Sequence, residues 1–76
     1  MKEFLEFMAR HLVDQPDRVH VEMEEREERV VYRLTVDQAD VGKVIGKQGR
    51  TAQALRTLVI AAAARAGKRA MLEIIQ

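Results

Sequence analysis

The sequence predicts an α+β fold with the element order α-β-β-α-α-β, a three-stranded sheet with helices packed on one face. Three observations predict it. Apolar residues recur at three- and four-residue spacing at the start and again over residues 50–66. They alternate with polar ones, or form a short apolar run, over 19–24, 29–36 and 69–75. Two glycines three residues apart, Gly46 and Gly49, separate a short helical segment from a long one.

The opening stretch sets Phe4, Leu5, Phe7, Met8 and Leu12 among Lys2, Glu3, Glu6 and Arg10, an amphipathic helix whose apolar side, both Phe residues included, is expected in the core. It should end near Val13, because Pro16 in the segment Asp14-Gln15-Pro16-Asp17 disfavours helical geometry at Gln15. Val19, Val21 and Met23 then alternate with His20, Glu22 and Glu24 as in a half-buried strand. A second strand, 29–36, carries Val30, Tyr32, Leu34 and Val36 on one face and Val31, Arg33 and Thr35 on the other. The polar link 25–28 between them predicts a hairpin, without the glycine of a tight two-residue turn and with its acidic side chains in solvent.

Asp37 and Asp40 offer capping chemistry ahead of a short helical turn, 41–45. From Arg50 to about Ala66 the chain is dominated by Ala, Leu, Gln and Arg, all strong helix formers, and Gly67 stands where that helix should stop. Its core stripe is expected to hold Ala52, Leu55, Leu58, Val59, Ala62 and Ala66. The run 69–75 closes the chain as an apolar strand.

Seventy-six residues make one small domain, 1–76, near the size at which a lone hydrophobic core supplies only a few kcal/mol of net stability. With 47% hydrophobic and 33% charged residues the chain is too apolar for disorder and too charged for a membrane span. There is no Cys, which excludes disulfides and thiolate metal sites. The acidic start lacks the basic stretch and long apolar run of a secretory segment, so a cytoplasmic location is expected.

The net charge of +1 conceals a division along the chain. Residues 1–40 hold six bases and eleven acids, 6 − 11 = −5. Residues 41–76 hold seven bases and one acid, 7 − 1 = +6. Unless the two signs intermix in space, the second half forms a positive face suited to a polyanion.

Gly46 and Gly49 join two helical segments and are flanked by Lys43, Lys47 and Arg50. Glycine permits positive φ and lets a phosphate or sugar approach the main chain closely. The helix starting near Arg50 adds unpaired amides and the positive end of its dipole. Contacts of this kind position a strand and read no base. Alone, a G-x-x-G is also what a helix-helix corner needs.

The context, Val41-Gly42-Lys43-Val44-Ile45-Gly46-Lys47-Gln48-Gly49-Arg50, resembles the signature of K-homology (KH) domains, and the element order matches their prokaryotic, type II arrangement. The resemblance covers essentially the whole chain and is strongest to the KhpA family of small bacterial KH proteins. It implies a non-catalytic module that clamps about four nucleotides of single-stranded RNA. It also implies pairing with a second copy or with a larger KH protein, KhpB, also called Jag or EloR. By this resemblance Gly46, Lys47, Gln48 and Gly49 form the backbone clamp, with Lys43 and Arg50 beside it and Val44 and Ile45 lining or supporting the groove floor.

Other chemistries find little footing. A phosphate-binding P-loop needs four residues between its glycines and Ser or Thr after Lys, whereas Gly42 and Gly46 enclose three and Gln48 follows Lys47. His11 and His20 are isolated, with no Cys and no H-E-x-x-H spacing, so His11 reads as a boundary residue of the first helix rather than a metal ligand, and the chain has no Ser to serve as a nucleophile. No catalytic residue, metal or cofactor is therefore expected. Phe4, Phe7 and Tyr32, the only aromatics, all read as core, so base contacts should use an aliphatic groove and exposed strand backbone rather than stacking rows.

The leading reading is an RNA chaperone or post-transcriptional regulator. The alternatives are a dimerisation module with weak RNA binding and a ribosome-assembly factor. A homodimer is expected through the outer side of the long helix. Ile60 falls roughly 140° from Leu55 around it, among the small or uncharged Gln53, Thr57 and Ala64.

Overall fold

A computed structural model describes residues 1–75. The elements are α1 (Lys2–Leu12), β1 (His20–Glu25), β2 (Arg29–Thr35), α2 (Val41–Ile45), α3 (Arg50–Arg65) and β3 (Arg69–Ile75), with single 3-10 turns at Pro16–Arg18, Gln38–Asp40 and Lys47–Gly49. The fold is α+β with the order α-β-β-α-α-β expected of a type II KH domain.

The sheet runs β1-β2-β3. The hairpin pairs β1 and β2 antiparallel, Val21 opposite Leu34 and Met23 opposite Tyr32. β3 returns parallel to β2, Val30 opposite Ala70 and Tyr32 opposite Leu72. β2 is thus the central strand, and β3 presents an open edge. α1 packs against β1 and α3 chiefly against β3, so one sheet face carries the helices. On the other face Arg33 reaches both Glu24 and Glu73, at 3.9 and 3.8 Å.

The core is built from Leu5, Ala9, Val21, Val30, Tyr32, Leu34, Val44, Leu55, Val59 and Leu72. Burying an aliphatic side chain of this size contributes about 1.5–3 kcal/mol. Three expectations fail at its margins. Phe4 and Phe7 are 41% and 57% exposed, because α1 buries only the narrow stripe centred on Leu5 and Ala9. Leu58, Ala62 and Ala66 lie outside the core: Leu58 sits at the rim of the stripe Ala52, Leu55 and Val59, Ala62 is half-buried while Ala63 packs against the core, and Ala66 follows the last turn of α3. Met23 is exposed although it lies on the core face of β1, near the end of an edge strand. Tyr32 is buried as expected, and burial together with Glu25 pushes its phenol pKa upward.

Gly67 closes α3: its amide donates to Ala64 O and that of Lys68 to Ala63 O, the paired bonds of a Schellman ending. Among the described residues no helix is long and apolar enough to cross a membrane.

Candidate nucleic-acid interface

The loop between α2 and α3 has the conformation its glycines permit. Gly46 (φ 78°) and Gly49 (φ 75°) bracket a 3-10 turn in which Gln48 also has positive φ, 57°. At Gly46 the requirement is steric as well: a Cβ there would lie 2.2 Å from Thr51 Oγ1, whereas one at Gly49 would meet nothing within 4 Å. The turn spends the Gly49 amide on Gly46 O and the Arg50 amide on Lys47 O. The amides of Lys47 and Gln48, the first in the turn, have no acceptor within it. The donors on offer therefore sit in the loop itself, one step before the helix start that the sequence pointed to.

The side chains divide by environment. Lys47, Gln48 and Arg50 are exposed, and among the described residues neither Lys47 nor Arg50 has a carboxylate within 4.0 Å. Ile45 is exposed beside the loop, while Val44 is fully buried and anchors α2 to the core. Lys43 is exposed but committed: its ammonium lies 2.6 Å from Asp14 and 3.5 Å from Asp40. The hydrogen bond to Asp14 is the main reason its pKa is raised above the ordinary lysine value.

Asp40 is buried. Rather than capping α2 with its side chain, it accepts a 3.0 Å hydrogen bond from the Gln15 amide. Asp37 does cap, accepting from the Ala39 amide. Asp40 and Lys43 thus tie the segment after α1 to the helix that leads into the loop.

Charge intermixes only in part. Lys43 and Lys68 pair with acids of the first half, Lys68 with Glu25, which leaves Lys47, Arg50, Arg56 and Arg65 without a carboxylate within 4.0 Å among the described residues along α3 and its approach. Arg56 had no assigned role in the sequence reading. Its Nε–H donates to the Leu72 carbonyl of β3 at 3.4 Å. Arg56, Ile60, Ala70, Met71 and Leu72 line a groove of about 190 Å³ between α3 and the open edge of β3. A larger concavity, about 1090 Å³, is lined by Arg26, Glu27, Glu28, Arg29, Gly67, Arg69, Ala70 and Met71. Gly67 lies past the far end of α3, about 24 Å from the loop at 1.5 Å per residue, and this mixed-charge basin meets the groove only at Ala70 and Met71.

Gln53, Thr57, Ile60 and Ala64 are all exposed on α3, Ile60 by 53%, and the Thr57 hydroxyl donates to Gln53 O. His11 Nδ1–H donates to Phe7 O, with the two rings 4.4 Å apart. Among the described residues no three His, Asp or Glu side chains are grouped to hold a metal ion.

Comparison with known proteins identifies the family. A sequence model of the family described as KhpA/KhpB, KH domain, matches residues 2–74. The RNA-binding protein KhpA of Clostridium perfringens is 51% identical over 75 residues, 99% of this chain and all of that protein. That of Aquifex aeolicus is 50% identical over 76 residues, all of this chain and 96% of the relative. That of Chlamydia trachomatis is 43% identical over 76 residues, all of this chain and 97% of the relative. No solved structure matches the chain significantly. The matching family is one of KH domains, not of enzymes. With a family match across nearly its whole length and relatives up to half identical, the chain belongs to the KhpA/KhpB KH-domain family.

Proposed function

We propose that residues 1–76 act as a single KH domain that binds single-stranded RNA without catalysis, the loop Gly46-Lys47-Gln48-Gly49 holding the RNA backbone. The observation that carries the reading is the loop itself: two glycines at positive φ, the Lys47 and Gln48 amides without an acceptor in the turn, and the Lys47 and Arg50 side chains with no carboxylate within 4.0 Å among the described residues. The relatives named RNA-binding proteins support it. Gly46 and Gly49 allow the approach, Lys47, Gln48 and Arg50 contact phosphate and sugar, and Ile45 supplies an apolar floor. Lys43, held by Asp14 and Asp40, fixes the approach to the loop more than it lends mobile charge.

Contacts of this kind hold many transcripts alike, which fits an RNA chaperone or post-transcriptional regulator working in the cytoplasm. A ribosome-assembly role would use the same surface. The protein works as a homodimer through Gln53, Thr57, Ile60 and Ala64, or pairs with the larger KhpB-type KH protein; the family model that matches spans both names. The second reading, a dimerisation module with weak RNA binding, draws on the exposed Ile60.

Titration with a short unpaired RNA at several salt concentrations separates the two. Phosphate contacts through Lys47 and Arg50 make the logarithm of affinity fall linearly with that of salt. A pure protein scaffold shows no binding at any salt.

A further inference from the structure

The backbone of β3 alternates between the ladder and the open edge. The Arg69 amide donates to Glu28 O at 2.9 Å, on the β2 side. With period two, the backbone groups of Met71, Glu73 and Ile75 face β2 as well, and those of Ala70, Leu72 and Ile74 face the edge. At an unmodified edge, Leu72 would offer a donor and an acceptor side by side. Its N–H and C=O would then match adenine, whose edges pair a ring-nitrogen acceptor with the N6 amino donor.

Arg56 changes that polarity. Its Nε–H donates to the Leu72 carbonyl and sets the guanidinium across that acceptor, and a guanidinium carries further N–H donors and no acceptor. Among the described residues no carboxylate lies within 4.0 Å of it to absorb those donors. At Leu72 the groove therefore presents the strand N–H beside the rest of the guanidinium, a set of neighbouring donors, over an apolar lining of Ile60, Ala70 and Met71. At about 190 Å³ the groove is smaller than the roughly 300 Å³ at which small-molecule pockets begin, a size suited to one planar ring.

We propose that Arg56 is the specificity-determining residue of this groove, selecting a base that presents two adjacent acceptors: guanine through N7 and O6, or cytosine through N3 and O2. Adenine would set its amino donor, and uracil its N3–H, against the guanidinium, each leaving a desolvated group unpaired. The inference rests on the RNA-binding reading above and assigns base choice to a residue outside the loop.

The test uses short all-uridine strands carrying one guanine, one cytosine, one adenine or no substitution, with affinities measured by fluorescence anisotropy. The wild type is expected to bind the guanine or the cytosine strand about 5- to 150-fold more tightly than the other two, the range of one bidentate pair. The guanine and cytosine arms show which acceptor pair is used. Arg56→Met keeps the apolar stem and uncovers the Leu72 carbonyl, so the order should shift toward adenine. Arg56→Lys keeps the charge and loses the planar fork, so overall affinity should persist while base preference disappears. Circular dichroism confirms the fold of each variant.

An adenine strand bound as tightly as the guanine and cytosine strands by the wild type would overturn the proposal. So would uniform weakening of all four strands in Arg56→Met with their order unchanged, which would make Arg56 a phosphate contact. Absence of binding to every strand at low salt would instead overturn the RNA-binding reading, and this inference with it.

Discussion

Gly46 packs against Thr51: a Cβ at Gly46 would stand 2.2 Å from the Thr51 Oγ1, 2.7 Å from its Cβ and 2.9 Å from its amide nitrogen. The first glycine of the loop is thus fixed by the first turn of α3, while the second is fixed by backbone conformation alone.

The two glycines should therefore respond differently to alanine. Gly49→Ala meets only the strain of positive φ, about 1 kcal/mol. Gly46→Ala adds a clash in which the backbone of α3 must give, and should cost roughly 2–4 kcal/mol. In a domain of this size each kcal/mol lowers Tm by about 4–8 °C, so thermal melts will resolve the difference. Equal melting temperatures for the two variants would contradict the packing described. Thr51→Ala should relieve Gly46→Ala only in part, since it leaves the Thr51 amide and Cβ in place.

Asp40 carries a separate prediction. Replacing it with Ala strands the Gln15 amide and should destabilise the fold by about 1–3 kcal/mol. Asp40→Asn keeps an oxygen for that amide and should cost less. Chemical denaturation measures both. Lys43 adds a pH signature: its pKa is raised above 10.5, chiefly by the hydrogen bond to Asp14. A raised lysine pKa gives stabilisation that is complete below the unfolded value and fades as pH climbs through the folded one. The stability difference between wild type and Lys43→Met should therefore hold constant from about pH 6 to 9 and shrink only above about 10.5. A difference that vanishes near neutrality would exclude the pairing.

The proposed dimer surface can be separated from the groove because Ile60 lines both while Ala64 lies outside the groove lining. Ile60→Asp and Ala64→Asp should each bring like charges together across a two-fold axis and yield monomers. Only Ile60→Asp should also weaken RNA binding. Sedimentation with an RNA titration tests both halves, and a wild-type monomer at tens of micromolar would refute the interface.

Much of this was legible in the sequence, for physical reasons. Element order follows from hydrophobic period, and the loop follows from two glycines beside basic residues, since both are local properties. What escaped was relational. Phe4 and Phe7 share the helical spacing of Leu5, and only the narrow contact between α1 and β1 shows that they stay outside. Asp40 resembles a cap until Gln15 and Lys43, distant in sequence or on the next turn, are brought against it. Arg56 resembles an ordinary solvent-facing helical arginine. Only the return of β3 parallel to β2, with its open edge beside α3, gives it the Leu72 carbonyl as a partner.

The central claim is that the loop clamps RNA through its backbone and Lys47, and the double variant Lys47→Asp with Gln48→Asp tests it most directly. Gln48 has φ 57°, a left-handed conformation that Asp tolerates better than most residues, and both side chains are exposed. Stability should therefore change by no more than about 0.5 kcal/mol. Two carboxylates would face the phosphates where the Gln48 side-chain amide and the Lys47 ammonium stood, and repulsion of this kind costs several kcal/mol. The account predicts a folded protein, by circular dichroism and thermal melting, that no longer binds single-stranded RNA. Wild-type affinity in that folded double variant would contradict it.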